Sequence, residues 1–411
     1  MPQVEPTLAR YDMTLQVKQA GQGRAGRPSR YLAPLLDDIA AQAEITDAKR
    51  SISANIVTAI KGNDAVRMGA SEEISGLNKS LADIANELAA LAPCCTSTAW
   101  VIWNHSVVFH HACSLLGPAH SSFLESIVSG GGLVSQGVGP GTSITGSRHG
   151  DRVVLNGVAT FVTGCRYGDW TGVGFVEDGK KALQFVLVDL RDPQVRIDPT
   201  WEAMSVRASA TDHVYFDGVK VEAAHVVPWA IKDRMVYRDP AHPVIHQRYR
   251  EDWTALASMF LGVMASAVAE TSLNEIAMGS RERVAIFGAK WIERPMVQVN
   301  LGRARALINA AADTAYAALQ ETDNRIDSRI NPTEEDYLRQ ILAGMQAIQL
   351  SDEAMKLLQR ILGANGLRES TNFERRYRDF QAMPLHIISH IDRMTEQSGR
   401  NALGLDTQNP F

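Results

Sequence analysis

The chain reads as an α+β protein in the order α, β, α, and three observations give that order. Apolar residues recur at helical spacing from Tyr31 to about Gly117. At Gly130 the character changes to a Gly- and Ser-dense stretch, followed by short Val-, Phe- and Thr-rich runs. From about Glu251 long helical patterns return and continue to the C-terminus. The divisions expected are 1–118 for an N-terminal helical domain, 119–232 for a central β domain, a barrel or sandwich, and 233–411 for a C-terminal helical bundle.

Residues 1–30, with AGQGRAGRPSR, read as a loosely ordered polar arm. Leu32, Leu35, Leu36, Ile39 and Ala40 then follow the spacing of one buried helix face. SEEISGLNKSLADIANELAALA continues the pattern, with Glu72 and Glu73 after Ser71 expected in a first helical turn. TSTAWVIWNHSVVFHHACSLLG is apolar nearly all round, as in a helix buried on several sides. His110 and His111 within it read as satisfied core histidines. The runs VVLNGVATFVTG, WTGVGFVE, LQFVLVDL and HVYFDGVKVEAAHVVP predict strands, with Asn156-Gly157 and Asp217-Gly218 expected at hairpin turns. Helices are expected over WTALASMFLGVMASAVAETSLNEIAMG, over Pro295 to Glu321 and over Thr333 to Leu362, the last opened by Asn331-Pro332-Thr333-Glu334-Glu335. ERRYRDFQAMPLHIISHID, Glu374 to Asp392, predicts one more helix, with His386, His390 and Arg393 at i, i+4, i+7 on one face.

Charge and composition exclude several classes. At 411 residues, 45% hydrophobic and 21% charged, the chain has ample length for a buried core. A formal net charge of -5 favours neither nucleic acid nor an anionic membrane. No uninterrupted apolar run is long enough to cross a bilayer, and no secretory signal is read at the N-terminus. Cys94, Cys95, Cys113 and Cys165 form no CxxC pair and no disulfide framework, which fits a reducing cytoplasm. VSQGVGPGTSITG contains neither GxGxxG nor GxxxxGK[ST], and HExxH and GxSxG are absent. His386 and His390 lack a third partner, so no metal site is expected.

Five stretches in order resemble the acyl-CoA dehydrogenase fold family. They are VVLNGVATFVTGCRYGDW, Trp201 with Met204-Ser205-Val206-Arg207-Ala208-Ser209-Ala210-Thr211, Phe216-Asp217-Gly218-Val219-Lys220-Val221, LGANG, and Tyr377-Arg378-Asp379. The resemblance covers the chain almost end to end. It implies a helical domain, a β domain and a C-terminal four-helix bundle, assembled as a homotetramer. Dehydrogenases of the short-chain-to-medium-chain type place a catalytic Glu eight residues after the Asp of Y-R-D; here that position is Ile387. Their Arg-x-x-Phe-Gly motif is also off register, with Arg283 four residues before Phe287.

A second branch, the two-component flavin-dependent monooxygenases, is more similar. Arg378, Asp379, Ala382, Met383, His386 and Asp392 match its C-terminal pattern, and Thr163 falls on its Ser/Thr position beside flavin N5. GCRYGDW resembles its G-C-x-H-x-D-W, with Tyr167 in place of His. Its substrate-facing His, eight residues after STAW, corresponds to Val108, with His105 three residues earlier. The resemblance implies reduced flavin, FADH2 or FMNH2, delivered by a separate NAD(P)H:flavin reductase. With O2 it would form a C4a-hydroperoxide that oxygenates a small aromatic or amine-containing substrate. His386 would be the general base, Asp392 its orienting partner, and Thr163 the stabiliser at N5. Cofactor contacts are implied at Ser135, Gln136, Phe161, Thr163, Gly164, Arg207, Gly363 and Gly366, with close backbone approach at Gly137, Gly139 and Gly141. Substrate contacts are implied at Trp103, His105 and Tyr167. Read without the resemblance, Thr163 is a β-branched strand residue, Arg207 a surface ion pair and Asp392 a surface charge. An acyl-CoA dehydrogenase with a relocated base, or a non-catalytic flavin- or ligand-binding homologue, is the alternative function.

Overall fold

The computed structural model describes residues 29–137, 139, 141–229, 236–284, 288–369 and 371–408. The polar arm expected over 1–30 lies almost wholly outside them, as does Phe287.

The N-terminal unit holds α1 (Ala33–Lys49), α2 (Ala54–Lys61), α3 (Leu81–Leu91), α4 (Thr96–Leu116) and α5 (Ser121–Ser129). Glu72 and Glu73 open only a 3-10 turn, Glu72–Ile74, and not the helix expected there. Ser75 turns left-handed at φ 61, and a Cβ at Gly76 would lie 2.2 Å from the Ala70 carbonyl oxygen, so the chain cannot continue helically. The helix begins at Leu81, where the Ser80 side chain accepts from Asp83 N.

Buried carboxylates join these elements. Glu87 of α3 accepts from Arg30 N, Tyr31 N, Leu32 N and Ser29 Oγ just before α1. Asp323 accepts from Leu81 N and Ala82 N at 2.7 and 3.1 Å. Each supplies an orphaned helix-start N–H with an acceptor from a distant part of the chain.

Eight strands follow: β1 (Val134–Gln136), β2 (Ser143–His149), β3 (Arg152–Val162), β4 (Trp170–Glu177), β5 (Leu183–Asp189), β6 (Val195–Asp198), β7 (Asp212–Glu222) and β8 (Val227–Pro228). They form one sheet ordered β6-β7-β3-β2-β4-β5-β8, with β1 parallel to β4. The two dipeptides expected at hairpin turns lie inside β3 and β7, facing each other across a bulge. Leu155 pairs with Val219 and Asn156 with Asp217, which leaves Gly218 over at φ 75. The Asn156 side chain accepts from Gly218 N at 2.9 Å and fills that gap. The actual β2–β3 turn is at Gly150, at φ 62.

The C-terminal unit is built on α6 (Trp253–Gly279), α7 (Pro295–Asp327) and α8 (Glu334–Leu362), which pack on one another, with α9 (Asn372–Phe380), α10 (Ala382–Leu385) and α11 (Ile391–Ala402) after them. Thr333 and Asp336 close a capping box on α8, in keeping with the expected start. By length and apolarity α6 could cross a membrane, but 89% of its apolar window is buried inside the protein. A Cβ at Gly344 would come within 2.3 Å of the Ser258 backbone, so α6 and α8 cross with their main chains nearly touching.

Candidate functional site

The helix α4 is the common wall of the site. Trp100 and Trp103 stand on it with ring centroids 4.9 Å apart. Trp103 Nε1 donates to Ala257 O of α6 at 2.9 Å, which fixes that ring against the bundle. The His386 ring meets both indoles edge-on, 5.6 Å from Trp100 and 5.2 Å from Trp103.

His386 is not on a continuous helix, and the expected face shared with His390 and Arg393 does not exist. The chain leaves α10 at Leu385, and His386 is extended at ψ 144. Pro384 cannot donate a helical hydrogen bond, and the His386 side chain instead caps the short turn Ile387–Ser389. His386 Nδ1 accepts from Ile388 N at 3.4 Å, so the neutral ring carries its proton on Nε2. Burial, reinforced by the nearby His390, lowers its pKa to about 4. The imidazole is therefore neutral at pH 7. His390 and Asp392 are exposed, and Asp392 occupies the first turn of α11, where the helix dipole favours a carboxylate. Asp392 as the orienting partner of His386 is corrected on that ground.

Against the same wall pack two loops. Gly164, at φ 77, turns the chain after Thr163, and a Cβ there would lie 3.1 Å from Val101 of α4. Ser97 Oγ of α4 accepts from Ala208 N at 3.3 Å. Gly164 N donates to Ser209 O at 2.9 Å, so the loops hold each other. Their hydroxyls meet as well: Thr163 Oγ1 lies 3.1 Å from Thr211 Oγ1, which lies 2.7 Å from Ser209 Oγ. Val206 and Ala210 have φ 41 and 48, conformations that L-residues adopt only when their surroundings enforce them. Phe161 has φ 56 with a ring 47% exposed, and a Cβ at Gly139 would strike that ring at 2.4 Å. The close approach expected at Gly139 is thus to Phe161.

Two residues outside the expected set anchor the loop at 204–211. Asp379 Oδ1 accepts from Val206 N at 2.8 Å, and its carbonyl accepts from Ser205 Oγ. Burial raises the Asp379 carboxyl to about 7, although the Arg378 charge opposes the shift. Arg378 binds both carboxylate oxygens of Asp47 at 3.0 and 2.8 Å and donates to Met204 O. The sequence signal for both was Y-R-D itself.

Other expected contacts prove structural. His105 donates from Nε2 to Val66 O and accepts from Val134 N at Nδ1, so both nitrogens are engaged by main chain. Burial also lowers its pKa. It ties α4 to β1 and does not face a substrate. Tyr167 OH accepts from Ile52 N and donates to Ala208 O, both at 2.9 Å, which removes it from the substrate-facing set. Ser135 Oγ donates to Trp170 O, and Gln136 Oε1 accepts from His111 Nδ1 at 3.1 Å. Both side chains are buried in the seam between sheet and α4, and Gln136 Nε2 has no hydrogen-bond partner among the described residues. Gly363 and Gly366 belong to the turn that ends α8.

The residues present fit a flavin in two respects. Arg207 reaches Asp47 only at 3.5 Å, and its buried Nε has no partner among the described residues, so the guanidinium has donors to spare for an anionic group. The exposed, strained Phe161 and the Thr163 hydroxyl lie at the same end of β3, as an aromatic edge and a polar contact for a planar ring would.

Residues 254–390 match the model of the acyl-CoA dehydrogenase C-terminal domain. The chain is 23% identical over 394 residues to the oxygenase component of p-hydroxyphenylacetate 3-hydroxylase from Acinetobacter baumannii, covering 90% of this chain and 88% of that one. It is 25% identical over 242 residues to cyclohexane-1-carbonyl-CoA dehydrogenase from Geobacter metallireducens, 57% of each chain. XiaF from Streptomyces sp., solved with FADH2 and glycerol, superposes with a TM-score of 0.83 at 18% identity, covering 96% of this chain and 97% of that one. Fold order, the matched C-terminal domain and end-to-end superposition agree, and the chain has the acyl-CoA dehydrogenase fold.

Proposed function

We propose that the protein is the oxygenase component of a two-component flavin-dependent monooxygenase. It takes reduced FMN or FAD from a separate NAD(P)H:flavin reductase and oxygenates a small aromatic or amine-containing compound. The observation that carries this reading is the pairing on α4 of a neutral, tryptophan-lined His386 with the Thr163 hydroxyl turn. Where dehydrogenases of the short-chain-to-medium-chain type carry their catalytic carboxylate, this chain has Ile387. The likeness to an oxygenase component over nine tenths of the chain supports the same conclusion.

When bound, reduced flavin supplies the electrons that activate O2; one oxygen atom goes to the substrate and the other leaves as water. Thr163 would hold the flavin by a hydrogen bond, and Arg207 would offer charge to its phosphate. The two indoles enclose a planar substrate and keep water away. His386 donates from Nε2–H to the substrate's reacting oxygen or nitrogen, and takes that group's proton in the other tautomer, with Nε2 bare and the long 3.4 Å bond from Ile388 N given up. The exposed Leu367, Leu385 and Leu403 after α8 support burial between copies, and we take the assembly to be a cytoplasmic homotetramer.

The reading is tested by reductant. The purified chain should leave NADH unoxidised and should turn over once a flavin reductase and flavin are added. Rapid NADH consumption by the chain alone would contradict it, and reduction of bound flavin by an acyl-CoA would make the protein a dehydrogenase.

A further inference from the structure

Three hydroxyls, Ser209, Thr211 and Thr163, form a buried row with links of 2.7 and 3.1 Å. Their exposures are 0, 8 and 6%. Each hydroxyl carries one proton, so three protons serve two links and one is left over, on Ser209, Thr211 or Thr163. If both ends donate to Thr211, its own buried proton has no acceptor among the described residues. Running from Thr163 toward Ser209, the row would strand its spare proton on Ser209. Among the described residues Ser209 Oγ has no other hydrogen-bond partner, and a fully buried O–H without an acceptor is strongly disfavoured. Running the other way, Ser209 donates to Thr211, Thr211 donates to Thr163, and every internal proton has an acceptor. The spare proton then belongs to Thr163.

We propose that Ser209 and Thr211 are positioning residues that give the Thr163 hydroxyl a fixed direction: it accepts from Thr211 and presents its proton, with one lone pair, to the flavin. This rests on the placement of flavin beside Thr163 proposed above. Donors in series polarise one another, so Thr163 becomes a better donor than an isolated threonine. The loop carrying Ser209 and Thr211 is held in its left-handed turns by Asp379 and Ser97, so the row is set before any ligand arrives.

The test uses the full-length protein with oxidised FMN or FAD enriched in nitrogen-15 at N5, whichever binds, and reads the N5 chemical shift. Oxidised N5 is an acceptor, so a hydroxyl donated to it displaces the resonance upfield. The displacement should be lost in Thr163→Val, lost or strongly reduced in Thr211→Val, reduced in Ser209→Ala, and restored in Thr211→Ser, which keeps the hydroxyl. Loss in Thr163→Val with no change in Thr211→Val would overturn the row while leaving flavin beside Thr163. No change in Thr163→Val would overturn that placement, and the row's role with it. A flavin dissociation constant measured alongside by fluorescence separates a misfolded variant, which fails to bind, from one that binds without the displacement; equal loss in Thr211→Val and Thr211→Ser, both binding, would also overturn the proposal.

Discussion

His386 reaches the two tryptophans of α4 because the chain stops being helical there. Pro384 removes a donor, Leu385 ends α10, and the imidazole takes over as the cap of the next turn. A straight helix through this segment would have given His386 and His390 equivalent positions. The break gives them different ones, with His386 among aromatic rings and His390 exposed. His386→Ala should therefore lower product formed per flavin oxidised by about 10²- to 10⁴-fold, the usual worth of a positioned acid–base group. His390→Ala should leave that ratio near wild type. Equal losses at the two positions would mean that the segment only supports the fold. Residue identity made His386 visible in the sequence, but not the break that selects it. His105 shows the opposite error. A histidine on an apolar helix near STAW invites a substrate role, yet only three-dimensional proximity to Val66 and Val134 shows that main chain occupies both its nitrogens.

At the scale of elements, the site depends on how α9 clips the loop at 204–211. Asp379 holds Val206 N–H with an oxygen that accepts whether or not the carboxyl is ionised. Asp379→Ala should leave that N–H buried and unpaired, at a cost of about 1–3 kcal/mol. It should also weaken flavin binding by roughly tenfold, about 1.4 kcal/mol. Asp379→Asn keeps the acceptor and should stay near wild type in both denaturant unfolding and flavin titration. Equal losses in the two variants would show that charge, and not the acceptor, is what the loop needs. Long elements with strong period were legible: α6 and α8 fall where the apolar pattern and the Asn331-Pro332-Thr333 start put them. The Asn-Gly and Asp-Gly pairs misled because the same dipeptides that favour a turn also suit a bulge inside paired strands. Only the register of β3 on β7 decides between them.

For the whole molecule, α-β-α order and motif order made the architecture readable, since both depend on residues close in sequence. The cross-chain contacts that build the site do not. Ser97, Thr163, Thr211 and Asp379 come from four separate stretches, and no local pattern announces that they meet. Buried histidines have a further consequence for the whole. Burial lowers His110 to about 3 and His111 to about 4, against about 6.5 in an unfolded chain. The unfolded state thus binds protons that the native state refuses, and stability falls as pH drops from about 6.5 to about 4, by about 1.4 kcal/mol per pH unit for each such group. Asp379 acts the other way, because its raised value favours the native state on acidification. Thermal melts should show Tm decreasing from pH 7 to pH 4.5, and more steeply in Asp379→Asn; a wild-type Tm unchanged across that window would refute this assignment of neutral buried histidines. The central claim, that this fold is used for oxygen chemistry and not for thioester oxidation, is tested most directly by mixing anaerobically reduced flavin and protein with oxygenated buffer and following absorbance. The account predicts two phases, a fast near-ultraviolet change and then a slower return of the oxidised-flavin band, well behind free flavin. A single-phase return at the rate of free flavin would contradict it.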